Sequence, residues 1–311
     1  MVGVASNILC ILVFLHPRMR SAVNLILTAL AAADILGLAT KAVEESYMYI
    51  ATNPWNSPPP CYPRGWTTYH LVSHCIFTYI LTLNSWFTVA VAAIRYVAIA
   101  VNKFTVGGFS MRKSKITVGF ITTSGLLVNV PYFLAVKVDS ERTETENETH
   151  DCYFAAYDNI LTWDSVQVFY DVFDFLPTVM LMLLCALLIR FIRQANRRRA
   201  KMTQTGQGRD AVTIMLLAVV MTSIITRFPF LVITQLSQNL GGHYSDVAHG
   251  LHRVMMLMLF LNSGVNIVFY SLTKQFKEGL VSLFSRQSQT TKSTAKSVKK
   301  TEISTVDNSP N

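Results

Sequence analysis

The chain has 311 residues, of which 51% are hydrophobic and 14% are charged, and its formal net charge is +9. Soluble domains carry about 25% charged residues, so this composition excludes an ordinary soluble protein and is typical of a membrane protein. The signature motifs of zinc proteases, serine hydrolases and phosphate-binding loops are missing from the sequence. We therefore expect no enzyme, and we expect no nucleic-acid partner.

The apolar residues are grouped into seven segments that polar stretches separate. Each of the six later segments exceeds the about 20 residues that a helix needs to cross the hydrocarbon core. The first segment is shorter, so we expect the sequence to begin partway through its first helix. The segments are residues 2–15, 23–50, 67–100, 116–136, 160–191, 211–236 and 247–272.

This pattern predicts an all-α fold, a seven-transmembrane helix bundle that occupies residues 1–272. Residues 273–284 alternate basic and apolar side chains, which is typical of an amphipathic helix on the inner leaflet. Residues 285–311 are rich in Ser, Thr and Lys, and we expect a disordered cytoplasmic tail that anionic membrane lipids attract.

Basic residues indicate the orientation of the bundle. The stretches after segments 1, 3, 5 and 7 contain two, four, seven and seven Lys or Arg residues. Basic loops stay in the cytoplasm, so we expect an extracellular N-terminus and a cytoplasmic C-terminus. The stretch 139–151 on the opposite side contains six carboxylates, and it also holds an N-glycosylation sequon at Asn147. The acidic stretch is either an entrance that concentrates cations or simply a solvated loop.

Two charged side chains and one amide lie where hydrocarbon would surround them. Asp34 is in segment 2, and Asn84 and Arg95 are in segment 3, about three helical turns apart and therefore on one side of that helix. Placing a charge in the hydrocarbon core costs about 3 kcal/mol or more, so such residues normally face protein or water and mark function. The alternative for Arg95 is an arginine at a helix end that reaches the lipid phosphates.

Segments 5 and 6 each combine charge with a proline that bends a helix. Asp171 and Asp174 precede Pro177, and Arg227 precedes Pro229 by two positions. The two carboxylates predict a ligand site, and the alternative is that they neutralise Arg227 on the neighbouring helix.

Segment 7 carries polar residues at four-residue intervals, so they share one helix face. Such a face normally contacts another helix, and here it is placed to join Asp34 and Asn84 in one polar cluster filled by water or a cation. The polar residues are Asn262, Asn266 and Tyr270, with Ser263 beside them.

The extracellular end also offers ionisable groups and cysteines. Lys41, Glu44 and Glu45 are close enough along segment 2 to pair, and at least one carboxylate is left for a ligand or another helix. Disulfides persist on this side of the membrane. We predict a Cys61–Cys152 disulfide, with Cys75–Cys152 as the alternative.

Together these features resemble the rhodopsin-like G-protein-coupled receptors over segment 1 through Phe276. The resemblance rests on the order and spacing of motifs, each of which is weak alone. Within that family the sequence is similar to the invertebrate myosuppressin, FMRFamide and sex-peptide receptors and to the nematode serpentine chemoreceptors of the w class. The motifs are Asn7, LAAAD ending at Asp34, Ile94-Arg95-Tyr96, Pro177, Pro229 and NIVFY from Asn266 to Tyr270.

The resemblance implies roles for several of these residues. Arg95 and Tyr96 would engage a heterotrimeric G protein, and Asn266 and Tyr270 would take part in activation. No resident cofactor is expected beyond an internal sodium ion, which the family holds at a polar site. That site would correspond to Asp34, Asn84, Asn262, Ser263 and Asn266.

The resemblance also implies partners and a location. We expect a plasma-membrane receptor for an amidated peptide of the FMRFamide type, with arrestin and a receptor kinase acting on the C-terminal tail. The alternatives are a chemosensory receptor of the same fold and, from another class, an ion-coupled transporter or channel. The residues expected to meet a basic peptide are Glu44, Glu45, Tyr170, Asp171, Asp174 and Arg227.

The sequence departs from the family pattern at several positions. Ile94 stands where the family places an acid before the arginine, so a resting ion pair within that motif cannot form. Thr226 and Arg227 replace the usual Cys-Trp of segment 6. Cys185 stands for the usual tyrosine of segment 5, and His70 stands where a disulfide cysteine is usual.

Overall fold

Six long helices and one shorter helix form a bundle in the described part of the chain, in agreement with the predicted all-α bundle. The structure is a computed structural model that describes residues 2–51, 62–100, 109–145, 148–157, 163–200, 207–239 and 245–283. The helices are α1 (Val2–Leu15), α2 (Ala22–Ala51), α3 (Arg64–Ala100), α4 (Met111–Ala135), α5 (Trp163–Ala200), α6 (Gln207–Asn239) and α7 (Ser245–Ser271).

Six of these helices, α2 to α7, are long and apolar enough to cross a membrane, and α1 is a shorter apolar helix. Their outer faces carry large apolar side chains that are mostly exposed in the described structure. On α4, for example, Phe120 and Leu134 are each 71% exposed and Leu127 is 66% exposed. Such faces are stable against lipid but not against water, so the chain is a multi-pass membrane protein.

The helices extend beyond the predicted apolar segments where charged residues continue them. α5 runs to Ala200, past the predicted end at residue 191, because Arg, Gln and Ala favour helix once the chain has left the hydrocarbon. α4 starts before its apolar stretch, and the Ser110 side chain accepts a hydrogen bond from the Lys113 backbone N–H at that end.

A β-hairpin follows α4, where the sequence analysis expected only an acidic loop. Strands β1 (Val136–Thr145) and β2 (Glu148–Tyr157) pair antiparallel, with Val136 opposite Tyr157. Tyr62 forms a bridge with Tyr153, and the Thr67 hydroxyl donates to the Tyr153 carbonyl at 3.1 Å. The hairpin is therefore fixed to the start of α3, and this end of the bundle is called the hairpin end.

The opposite end of the bundle, where α3 carries Arg95, is called the Arg95 end. Residues 274–283 are helical there, directly after α7, and are called α8. Phe276 of α8 is 1% exposed and packs against Phe14 of α1 with ring centroids 5.7 Å apart. This apolar anchor holds α8 against the bundle, while Lys274 and Lys277 remain exposed.

Candidate functional site

Asp34 of α2 is the centre of a polar cluster that joins three helices. Its Oδ1 accepts from Asn84 Nδ2 of α3 at 2.9 Å and from Ser263 Oγ of α7 at 2.8 Å. Its Oδ2 accepts from Asn266 Nδ2 at 3.4 Å. The carboxylate is 4% exposed, so these bonds replace the water it has lost. The structure therefore brings together four of the residues that the sequence analysis assigned to an internal polar site.

Helix α1 is tied to the same cluster. Asn7, which is 1% exposed, donates to the Ser263 carbonyl at 3.0 Å and to the Gly3 carbonyl at 2.9 Å. A Cβ added at Gly264 would lie 3.7 Å from the Cα of Gly3, so the two backbones meet in direct contact. Small residues permit this approach between membrane helices. The register of α1 on α7 is set by these contacts.

Two buried amide oxygens, one in the cluster at Asn84 and one at Asn262 next to Ser263 in the sequence, have no protein donor in the described part of the chain. Asn84 Oδ1 belongs to the amide that binds Asp34. Carboxylate and amide oxygens are the ligands that hard cations prefer. The residues present therefore fit a sodium ion, which would supply a positive charge at Asp34.

Arg227 of α6 is a second buried charge near the middle of the bundle. The side chain is 7% exposed, its Nη2 donates to the Leu81 carbonyl of α3 at 2.8 Å, and its Nη1 donates to Ser85 Oγ. Ser85 Oγ in turn donates to the same Leu81 carbonyl at 2.9 Å. These contacts, called the α3–α6 clasp, join the two helices two residues before Pro229. The pairing of Arg227 with Asp171 or Asp174 stays a prediction.

A further charged network lies between α2 and α3 towards the hairpin end. Lys41 Nζ donates to both carboxylate oxygens of Glu44, at 2.8 and 2.7 Å, as the spacing along α2 predicted. Ser73 Oγ donates to Glu44 Oε2 at 3.0 Å, and His70 Nε2 lies 3.3 Å from Oε1. Glu44 is thus neutralised inside the protein, whereas Glu45 is exposed.

Aromatic rings lie beside this network. Tyr47 stacks on Trp66 with ring centroids 3.5 Å apart, and Trp66 stacks on Tyr69 at 5.3 Å. The Tyr69 hydroxyl donates to the Thr40 carbonyl at 3.2 Å. The aromatic side chains and Glu45 therefore occur together near the hairpin end, where a ligand from that side would arrive.

Arg95 has a different environment from Arg227. Its Nε is buried, and within the described residues the side chain has no hydrogen bond or ion pair. It lines a cavity of ≈ 770 Å³ at the Arg95 end together with Tyr270 and Met215. Tyr270 is 2% exposed and packs against Phe14 with ring centroids 5.0 Å apart, and Tyr96 packs edge-on against Phe191 of α5. Arg95 is therefore turned into the protein and not towards lipid.

The cysteines are resolved in part. Cys152 is disulfide-bonded, and Cys75 is a free thiol, so the alternative Cys75–Cys152 pairing is wrong. Cys61 and Asn147 lie outside the described residues, as do the side chains of Tyr170 and Asp171. The Cys61–Cys152 pairing and the glycosylation of Asn147 stay predictions.

Several contacts of these sites were not predicted from the sequence. Ser85 was missed as a partner of Arg227, and His70 and Ser73 were missed as partners of Glu44. Ser and His in an apolar segment give no signal of their own, because a hydroxyl can bond to its own helix and a histidine can face solvent. The departure at His70 from the usual cysteine was the one available hint.

Residues 1–287 match the family described as serpentine type 7TM GPCR chemoreceptor Srw. The match covers most of the chain, so the chain belongs to this family of G-protein-coupled receptors. Membership supports the prediction of a receptor over an enzyme, and it favours a receptor over a transporter or channel.

Two curated proteins are similar to the chain. The G-protein coupled receptor dmsr-1 of Caenorhabditis elegans is 26% identical over 231 residues, which are 67% of this chain and 43% of that protein. The FMRFamide receptor of Drosophila melanogaster is 24% identical over 286 residues, which are 86% of this chain and 49% of that protein. The chain thus spans about half or less of the length of these relatives.

Proposed function

We propose that the chain is a plasma-membrane receptor that couples an amidated neuropeptide of the FMRFamide type to a heterotrimeric G protein. The N-terminus and the hairpin end would be extracellular, and Arg95 and the C-terminal tail would be cytoplasmic, because the basic residues collect at the Arg95 end. The observation that carries the coupling function is the Asp34 cluster, which binds α2, α3 and α7 through one buried carboxylate.

The cluster gives a physical route for coupling. Asn84 and Arg95 are on one side of α3, so a change that moves Asn84 relative to Asp34 also moves Arg95 in its cavity. Such a bundle has two arrangements, and an agonist acts by binding the active one more tightly. Sodium at Asp34 would favour the arrangement in which the oxygens of Asn84 and Asp34 remain together.

The peptide assignment rests on chemistry at the hairpin end and on a relative. Glu45 is exposed on α2, two residues before Tyr47, whose ring stacks on Trp66, and Asp174 lies on α5 at 4% exposure. A carboxylate next to aromatic rings suits a basic side chain followed by an aromatic one. One similar protein is an FMRFamide receptor. Glu44 contributes less, because Lys41 and Ser73 already occupy its oxygens.

The experiment is to express the full chain in cells and record G-protein dissociation after adding amidated peptides ending in Arg-Phe-amide. The matched control is the same set of peptides with a free C-terminal carboxylate, which we expect to activate weakly because they add a negative charge near Glu45 and Asp174. Activation by amidated peptides that Glu45→Gln weakens would support the proposal. No response to any amidated peptide would count against the ligand class.

A chemosensory receptor for small molecules is the second candidate, because the matching family is described as chemoreceptors. The same dissociation assay with small organic compounds separates the two. A response to such compounds and not to peptides would select this candidate and leave the G-protein step intact. A solute-dependent current without G-protein dissociation would instead favour a transporter or channel.

A further inference from the structure

Two histidines lie on one face of α3 near the hairpin end. His70 and His74 are one helical turn apart, and their rings are within 10° of parallel, with centroids 6.4 Å apart. The His70 side chain is 43% exposed, and His74 is exposed as well. Along α3, His74 and His70 lie about 15 and 21 Å from Asn84 of the polar cluster, so they are at or outside the edge of the hydrocarbon core. An ion from the water on that side can therefore reach both rings.

Glu44 of α2 brings a carboxylate to the same place. Its Oε1 lies 3.3 Å from His70 Nε2 and accepts from Lys41 Nζ at 2.8 Å. Its Oε2 accepts from Lys41 and from Ser73. Two ligands of one tetrahedral zinc ion are about 3.4 Å apart, because zinc bonds to nitrogen and oxygen are about 2.0–2.2 Å long. The separation of Nε2 and Oε1 therefore matches that of two zinc ligands.

The simpler explanation is that each histidine has a structural contact of its own. His70 lies against Glu44, and His74 lies beside Tyr132, with ring centroids 6.1 Å apart. This explanation does not account for the placement of the two histidines together. Histidines four positions apart on one helix face are the arrangement by which helices of metalloproteases bind zinc, because both rings reach one ion. Two histidines and one glutamate are also a common set of zinc ligands.

We propose that His70, His74 and Glu44 bind a zinc ion at the hairpin end, with water as the fourth ligand. In the described part of the chain no three His, Cys, Asp or Glu side chains form a complete metal site, so this site forms as the metal binds. The two ring centroids are about 1 Å further apart than on one tetrahedral zinc ion, and rotation of the exposed His74 side chain closes this gap. The bound ion would cross-link α2 to α3.

Lys41 limits the affinity of this site. It is 5% exposed, its ammonium donates to the Glu44 carboxylate, and it lies 5.0 Å from the centre of the Phe77 ring. A zinc ion on Glu44 Oε1 would be close to this positive charge and would be repelled by it. We therefore expect reversible binding that is weaker than at a structural zinc site. Removal of the Lys41 charge should strengthen it.

The test measures the Zn²⁺ affinity of the purified full chain by isothermal titration calorimetry, without agonist or G protein. His70→Ala and His74→Ala each remove one ligand, and we expect either variant to bind zinc at least about tenfold more weakly. Lys41→Gln keeps a donor for Glu44 but removes the positive charge, so it should bind zinc at least about threefold more tightly.

The matched control moves one histidine and keeps the number of histidines constant. In His74→Ala/Val72→His the second imidazole lies on another face of α3, at a position where Val72 is 47% exposed. We expect this variant to bind zinc as weakly as His74→Ala. Thermal unfolding without metal checks the fold of each variant, and zinc should raise the melting temperature of the unaltered chain more than that of His70→Ala.

Other metal ions distinguish this site from the acidic residues of the hairpin. Ca²⁺ prefers carboxylate oxygens and should not compete with an equal concentration of zinc, whereas Ni²⁺, which imidazole also suits, should compete. Competition by Ca²⁺, unchanged affinity in both single histidine variants, or full binding by the moved-histidine control would overturn the proposal.

The Lys41→Gln variant decides whether the ion reaches α2. No gain in zinc affinity in this variant would exclude Glu44 as a ligand and overturn the proposed cross-link between α2 and α3. The proposal does not depend on the peptide assignment, because none of these measurements uses an agonist or a G protein. A failed receptor function would therefore leave the metal site to be decided by its own test.

Discussion

Arg227 and Arg95 are both arginines that point into the bundle, and their surroundings differ in one respect. Arg227 meets acceptors on α3, whereas the described part of the structure gives Arg95 none. A buried cation with acceptors on a neighbouring helix ties two helices together. A cation without acceptors keeps its hydrogen-bonding capacity for a partner that arrives later. The family's resting ion pair next to Arg95 is missing because Ile94 replaces the acid, and the α3–α6 clasp lies in the middle of the bundle instead.

Removing Arg95, the arginine without acceptors in the described structure, should have the largest effect. We expect Arg95→Ala to abolish agonist-stimulated nucleotide exchange, because the group that would contact the G protein is lost, while peptide binding changes by less than about threefold. Exchange assays and radioligand binding on the same membranes check both parts. Arg112→Ala, an exposed arginine at the same end, is the control. Normal signalling by Arg95→Ala would contradict the assigned role.

Removing the paired arginine should have the opposite effect on signalling. In Arg227→Met the clasp is lost, while Ser85 Oγ still donates to the Leu81 carbonyl. We expect basal nucleotide exchange to rise about two- to tenfold, which matches the loss of one or two net hydrogen bonds. Unchanged basal exchange with a normal melting temperature would exclude the clasp as a restraint on α6.

The variant Ser85→Ala is a smaller change that tests one of the two acceptors of Arg227. Ser85→Ala removes one of the two α3 groups that Arg227 reaches and leaves the Leu81 contact, so basal exchange should rise by about half as much in free energy as in Arg227→Met. Ser124→Ala is the matched control, because the Ser124 hydroxyl bonds only to carbonyls of its own helix among the described residues. Basal exchange equal to that of the unaltered chain would show that the Leu81 contact alone is sufficient.

The smallest effect should come from Asp34, and it links the clasp to the polar cluster. Asp34→Asn keeps an acceptor for Asn84 and Ser263 but removes the negative charge, so agonist affinity should lose its dependence on sodium. Because Asp34 and Arg227 are opposite charges buried in one bundle, the double variant with Arg227→Met should be non-additive by about 0.5 kcal/mol or more in agonist binding. Additive effects would mean that the two charges act independently.

Much of this fold was predictable because its signals are local. Each membrane helix is an apolar run of the required length, and the polar cluster follows from residues whose types are costly in hydrocarbon. Asp34, Asn84 and Asn266 could therefore be recognised as site residues from the sequence. Helix periodicity placed Asn84 and Arg95 on one side of α3.

The remaining features depend on which helices meet. Nothing in the sequence of α6 says that Arg227 would reach Ser85 and the Leu81 carbonyl of α3. The hairpin of 136–157 was missed because its charged residues suggested a solvated loop, whereas its two strands pair with each other and Tyr153 also contacts Tyr62 and Thr67. The cavity at the Arg95 end is lined mainly by residues from near the two ends of the chain, and a sequence gives no distance between them.

The hairpin and Arg95 are connected by one uninterrupted helix. α3 has 37 residues, so it is about 55 Å long, and one end is joined to the hairpin while the other carries Arg95. Along such a rod a twist applied at the hairpin is transmitted without any relay of side chains. A rotation of α3 about its own axis would move Asn84 and Arg95 through the same angle. The hairpin end and the cavity at the Arg95 end would therefore change together.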